Sequence, residues 1–192
     1  MKKSYIILGG IFLFVLILFM TYRSSYNTAV EYKMLVKKSW GDVQSSYQRR
    51  ADLIPGLMET VKGAAANEKD ILTKVTNARA GITEINEDIL NAKNPEQMEI
   101  AGKKINTAIN LAFEAYPQIR STENFGKFQD QLEGTENRIK KSRDDYNESI
   151  QLYNTHISGF LNSMFLNKVM FPYDEGTFSS SPGSDKAPEI KF

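Results

Sequence analysis

The sequence predicts an all-α protein: an N-terminal transmembrane helix, then an antiparallel bundle of about four long helices, then a flexible C-terminal tail. Three observations predict it. Residues Tyr5 to Tyr22 form a charge-free run dominated by Ile, Leu, Phe and Val. Beyond it, apolar residues recur at alternating steps of four and three, which places them on one face of a helix, and no two-residue alternation competes. From Phe171 onward Gly, Pro and Ser dominate and the period is lost. The organisation that follows is an anchor at 1–24, a bundle at 25–170 and a tail at 171–192.

The anchor is the strongest local signal. As a helix its eighteen residues measure about 27 Å, close to the roughly 30 Å hydrocarbon core of a bilayer. Its twelve Leu, Ile, Phe and Val side chains favour insertion by roughly −4 to −7 kcal/mol in total. Tyr5 and Tyr22 stand where interfacial aromatics belong. Lys2 and Lys3 also suit the basic start of a cleaved signal peptide, but TYRSSYNTA is a weak cleavage site, so a retained anchor is preferred. Basic residues lie on both sides of the run, Lys2 and Lys3 before it and Arg23, Lys33, Lys37 and Lys38 after it, so the side of the membrane stays open.

In the first soluble stretch Val36, Trp40, Val43, Tyr47, Arg50 and Ile54 share a face, and no proline intervenes between Tyr5 and Ile54. The transmembrane helix is therefore expected to continue into this one. Pro55 disfavours helical geometry at Ile54 and suits a helix start, which predicts a tight turn at 52–54, with a kinked continuous helix as the alternative. The second helix carries Leu57, Val61, Ala64, Glu68, Ile71, Val75, Ala78, Ile82, Ile85 and Ile89 in unbroken alternation. Asn94, Pro95 and Gln97 supply an N-cap, a first-turn proline and a capping-box partner for the third helix. That helix presents Met98, Ala101, Ile105, Ala108, Ala112 and Tyr116 and stops before Pro117. A fourth helix opens near Ser121 or Thr122 and is marked from Phe125 to Met164, about 43 residues or roughly 65 Å. Short connections force antiparallel neighbours.

Composition excludes several function classes. Lys plus Arg number 24 against 23 Asp plus Glu, and removing Lys2, Lys3 and Arg23 leaves 21 basic and 23 acidic residues, so nothing asks for a nucleic-acid partner. The lack of cysteine rules out disulfides, thiolate metal sites and Cys nucleophiles. The one histidine, His156, has no Glu three residues before it, so the Glu-x-x-His pattern of di-iron bundles is missing and a solvated or partly packed side chain is expected. No phosphate-cradling glycine loop and no serine with a base at hand can be read. No catalytic activity, metal or cofactor is expected.

The informative oddities are charges on the predicted core faces: Arg50, Glu68, Glu136 and Arg143. An unpaired buried charge is costly, so at least some of these should pair across helices. Glu136 and Arg143 are about 10.5 Å apart along their axis, too far to pair with each other. In the tail Pro188, Ile190 and Phe192 alternate with polar residues, a pattern that suits docking into a groove or onto a sheet edge. Residues 108–113 (AINLAF) make an apolar patch wider than one stripe, a candidate for self-association or for more core.

Three segments resemble the LemA family: RRADLIPGLMETVKG from Arg49, EAYPQIR from Glu114, and LEGTENRIKKSRDDYNESIQLYN from Leu132. The resemblance extends from the anchor to the closing APEIKF. It implies that the family's motif residues fall at Arg49, Arg50, Asp52, Leu53, Ile54, Pro55, Leu57, Val61 and Lys62. They continue at Glu114, Tyr116, Pro117, Phe125, Glu133, Glu136, Asn137, Arg143, Tyr146 and Asn147. Gly56 replaces the Asn usual after the proline, and Ile119 with Arg120 replaces the usual Leu-Lys. The resemblance implies a bacterial membrane-anchored helical bundle without established catalysis, and a companion of other membrane proteins, including a zinc metalloprotease. The expected function is a membrane-tethered scaffold or interaction module of the cell envelope. The alternatives are a signal-transmitting bundle or a hydrolase using Glu68, Glu136 and Arg143. The expected partners are the lipid bilayer and other membrane or envelope proteins.

Overall fold

The structure, a computed structural model, describes residues 2–64, 81–115, 123–174 and 176–179. It is all-helical among the described residues, in the order α1 (Lys2–Ala51), α2 (Leu53–Ala64), α3 (81–91), α4 (Pro95–Ala115), α5 (Glu123–Ser158) and α6 (Phe160–Phe165). With no proline to remove a hydrogen bond, α1 runs unbroken for 50 residues, about 75 Å. The expected continuation of the apolar run into the next helix is therefore present. The turn expected at 52–54 shrinks to one residue. Asp52 donates its N–H to the Gln48 carbonyl at 2.9 Å, and α2 starts at Leu53. Pro55 falls in the first turn of α2, where a backbone N–H has no intrahelical acceptor, so its missing donor costs nothing.

The helices form two compact units, and α1 and α5 contribute to both. The first unit takes residues 1–40 and 145–175. There α1 and α5 run antiparallel, since Trp40 meets Tyr146 with ring centroids 5.2 Å apart and Tyr32 meets His156 at 5.5 Å. Ala29, Tyr153, Ile157, Leu166 and Phe171 form its core, with Tyr26, Tyr32 and Val36 packed around them. The second unit takes residues 41–144 with 176–192, of which 176–179 are described at its C-terminal end. Its core includes Val43, Ile54, Leu57, Val61, Ile89, Met98, Ile105 and Ile109, all almost fully buried.

On α1 the buried line is Ser25, Ala29, Ser39, Val43, Tyr47 and Ala51, while Val36 and Trp40 are only partly covered. Val43, Tyr47 and Ile54 of the face read from the sequence are buried, whereas the small Ser39 and Ala51 are sealed where Trp40 and Arg50, beside them, are only partly covered.

Asn94 caps α4 as the sequence predicts, its Oδ1 accepting the Gln97 N–H at 2.9 Å. Gln97 reaches back one residue further than in the standard capping box, to the N–H of Lys93 at 2.8 Å. α3 is held on α1 by side chains, because Gln44 Nε2 donates to the Ile89 carbonyl at 3.1 Å and Gln48 Nε2 to Asn86 Oδ1 at 3.0 Å. Lys104 on α4 bonds both Glu84 and Asp88 on α3 at 2.7 Å. The middle of the expected second helix, with Glu68, Ile71, Val75 and Ala78, lies outside the described residues, as do Tyr116 and Pro117.

Two expectations are corrected. The fourth predicted helix, α5, does not reach Met164 but stops at Ser158 after 36 residues. Glycine is a weak helix former, and Gly159 takes an extended conformation (φ −56°, ψ 141°) as the cap of α6. Asn162 Nδ2 donates to the His156 carbonyl at 2.8 Å, satisfying a terminal α5 acceptor in place of a further turn. Consequently Phe160 and Met164, read as core, are exposed. The tail, expected from residue 171, is packed at its start. Phe171 and Phe178 are buried, Tyr153 donates to the Pro172 carbonyl at 3.0 Å, and Asn154 and Asp174 exchange two hydrogen bonds. Periodicity cannot reveal such packing, because an extended segment anchored by isolated aromatics has no period.

One glycine carries a testable packing argument. A Cβ on Gly102 would stand 2.6 Å from Cε1 of the buried Tyr47 ring. Helix propensity alone favours Gly102→Ala by about 1 kcal/mol, whereas overpacking against a confined ring costs about 1–3 kcal/mol. The substitution should therefore lower the denaturant midpoint, and a raised midpoint would show that Tyr47 moves freely.

Candidate functional site

The charges expected on core faces are the molecule's candidate site, with one correction: Glu136 lies at an exposed position of α5 and not on its buried face. Arg50 lies one position before the end of α1, and its side chain is only 12% exposed. Burial lowers its pKa from the ordinary guanidinium value. It pairs with Glu136 of α5, whose side chain is 61% exposed, so the pair opens to solvent on its acidic side. Arg50 Nε is buried without a hydrogen-bond partner among the described residues.

Arg143, on the same helix as Glu136, has a different partner. Its Nη2 donates to Glu99 Oε1 at 3.0 Å and to the Ser179 carbonyl at 3.0 Å, and its guanidinium carbon lies 4.7 Å from the centre of the Phe178 ring. One side chain thus joins α5, α4 and the extended segment after residue 176. Tyr47 stands beside this group. Burial pushes its hydroxyl pKa up, while the positive charges of Arg143 and Arg50 oppose the shift and Glu99 adds to it.

Of the four charges singled out in the sequence, Arg50 and Glu136 meet each other and Arg143 meets a residue outside the four. Glu68 lies outside the described residues. Glu99 was not singled out because it sits beside the core residue Met98 and off the apolar face of α4. A long Arg on the facing helix reaches over that edge. The four charges Arg50, Glu136, Arg143 and Glu99 sum to zero, and both pairs cross between helices.

A second polar cluster surrounds His156. Its Nε2 lies 2.9 Å from the Ser25 carbonyl, which can only accept, so the ring carries its proton there. Nδ1 is then left to accept from Asn162 Nδ2 at 3.4 Å, and Asn162 Oδ1 accepts from Ser25 Oγ at 2.7 Å. His156 thus ties α5 to α1 and to α6. The buried hydroxyls of Ser142 and Ser149 donate to carbonyls three residues back on their own helix, at 3.0 and 2.7 Å. Two open clefts accompany these groups: about 310 Å³ beside Ile157, Leu166, Lys168 and Phe171, and about 520 Å³ beside Gln44, Gln48, Arg49 and Leu90. The apolar patch at 108–113 is largely turned inward, with Ile109 and Ala112 buried and Phe113 packed on the Phe125 and Phe128 rings, leaving Leu111 exposed. Pro188, Ile190 and Phe192 lie outside the described residues.

Among the described residues one helix is long and apolar enough to cross a membrane, near the N-terminus, with mean hydropathy 2.5 over its most apolar window and none of that window buried. An exposed apolar helix leading into an all-helical body stitched by internal ion pairs defines the class: a helical-bundle protein with a candidate N-terminal membrane span. Within that class the LemA family model matches residues 39–192, and the chain belongs to the LemA family. It is similar to Protein LemA of Metamycoplasma hominis, with 23% identity over 177 residues covering 92% of this chain and 76% of that protein.

The exposure of Glu136 sets the expected energetics. A double-mutant cycle with Arg50→Ala and Glu136→Ala should give a coupling of about 1 kcal/mol, as for solvent-open pairs, and not the roughly 3–5 kcal/mol lost when a sealed pair is broken. Thermal unfolding of the four proteins measures it.

Alkaline pH provides a second check. Burial, with the Asp174 charge adding to it, pushes the Tyr146 hydroxyl up to about 12. The unfolded chain releases that proton near pH 10, so between about pH 10 and 12 the unfolded state binds fewer protons and stability falls as pH rises. Tyr47 and Tyr153, also raised by burial, act in the same direction. Tyrosinate absorbance should therefore rise in two stages, the second coinciding with loss of helical circular dichroism. A single stage with helicity intact would contradict the burial of these rings.

Proposed function

We propose that the chain is a membrane-tethered helical scaffold or interaction module of the bacterial cell envelope, presenting a stiff helical surface to other membrane or envelope proteins and performing no chemistry of its own. The observation that carries the reading is α1, a single helix that leads from the exposed apolar run directly into the packed body. The first unit, packed on the stretch of α1 that follows the apolar run, is thereby kept next to the bilayer. The paired charges support the same reading, because Glu136 and Arg143, two of the three residues a hydrolase would need, are each engaged by a cross-helix partner. Partners are reached from the helical surface and through the Pro188, Ile190 and Phe192 terminus. A second reading, signal transmission, is favoured by the same unbroken α1.

In native membranes the full chain should resist alkaline carbonate extraction, and a photo-reactive residue at the exposed Asn137 should cross-link to defined membrane or envelope proteins. Release into the supernatant would sink the tether. If deletion of Ala187 to Phe192 left every cross-link in place, the terminus would have no docking role. A Gly-Gly replacement of Arg23 and Ser24 separates the two readings, since a tether keeps its partners with a loosened α1 whereas a transmitter loses its output.

A further inference from the structure

The exposed apolar residues outside the anchor are concentrated where the chain leaves α5. Phe160, Leu161 and Met164 on α6 are 79%, 54% and 69% exposed, and Val169 and Met170 in the following turn are 89% and 50% exposed. In water five large apolar side chains within eleven residues are unfavourable, and a contiguous patch of this kind marks a contact surface. Its position says what covers it. Phe165 packs edge-on against Tyr22 with centroids 6.2 Å apart, Phe171 packs on Tyr26 at 5.4 Å, and Asn162 is bonded to Ser25. Tyr22 closes the apolar run, at the depth where interfacial aromatics sit. α6 is therefore fixed beside the point at which α1 emerges from the hydrocarbon. Between Gly159 and Tyr173 the single charge is Lys168, with no acidic residue, and Arg23 flanks the same level on α1. Apolar side chains with sparse basic ones, and no acid to be repelled by anionic headgroups, suit the boundary between headgroups and acyl chains.

We propose that α6 and the 167–170 turn form an interfacial docking element that lies in the same bilayer leaflet as the end of the α1 span. The proposal rests on the membrane-anchor reading. Phe160, Leu161, Met164 and Val169 dip below the headgroups, Lys168 and Arg23 face them, and Met170, held by Tyr26 Oη and Lys33 Nζ, stays on the water side. The element gives the protein a second membrane contact beside the span. Because it is tied to α1 through Tyr22, Ser25 and Tyr26, it resists tilting of α1 where the helix exits.

The chain has no native cysteine, so single environment-sensitive labels can be placed in the full protein. We would label Met164→Cys, Val169→Cys, Leu13→Cys and Asn137→Cys with a nitrobenzoxadiazole dye and reconstitute each in phosphatidylcholine–phosphatidylglycerol vesicles. The labels at 164 and 169 should lose about half of their emission to a nitroxide placed high on the lipid acyl chain, as expected about 5–10 Å below the headgroups. The label at 13 should respond most to a deep nitroxide, and the label at 137 only to aqueous iodide. If 164 and 169 respond to iodide as strongly as 137 while 13 stays in hydrocarbon, the docking element is overturned and the anchor stands. If they are shielded from both quenchers and Met164→Cys forms disulfides between copies, a second copy covers the patch and the proposal is equally overturned. Iodide access at position 13 would remove the anchor, and the docking proposal with it.

Discussion

A helix can pass from hydrocarbon to water without changing conformation only if every backbone hydrogen bond is closed within it, because no solvent molecule is available to complete one inside a bilayer. α1 meets this constraint for 50 residues, and the rest of the molecule depends on it. Its first stretch leaves every described side chain from Lys3 to Met20 exposed, whereas from Thr21 onward one side is progressively covered. The change from an exposed apolar run to a partly covered face is written in the side chains alone. The first proline comes only after the helix has ended, so no missing backbone donor interrupts α1.

The way α1 is covered follows from side-chain size. Ser25, Ala29, Ser39 and Ala51 form much of its buried line, and small residues allow neighbouring backbones to approach. Large residues such as Trp40 then reach sideways to meet rings of the antiparallel partner. Specific polar links bear on the register: Gln44 and Gln48 between α1 and α3, Lys104 between α4 and α3, and Arg143 between α5 and α4. Each of these bonds falls at one axial position. A helix sliding by a turn would keep its apolar contacts roughly intact but would lose these pairings, which is how polar residues at helix edges can specify a single arrangement.

The family assignment gives the fold a context without adding a reaction to it. The two polar clusters join different helices in different ways. Arg143 gathers two helices and an extended strand of chain around one guanidinium, and its planar donors, unlike a lysine ammonium, can serve a carboxylate and a carbonyl while stacking on Phe178. His156 performs the corresponding task between α1, α5 and α6 with one donor and one acceptor nitrogen. Both depend on the segments after α5 folding back onto it.

What the sequence by itself determined is what local rules govern: the apolar run, the helical period, the Asn94 cap and the break before Pro55. These were legible because each depends on residues within one or two turns of one another. The family motifs were legible for a similar reason, being contiguous blocks. Tertiary structure alone decided the partner of Arg143, since Glu99 lies 44 positions away and beside its helix's apolar face. It also decided the end of α5 at Ser158, where Asn162 folds back to take the His156 carbonyl, and the seating of Phe171 and Phe178, whose isolated positions carry no period. In each case the deciding interaction joins groups that the chain separates or leaves without a repeating pattern, and only packing brings them together.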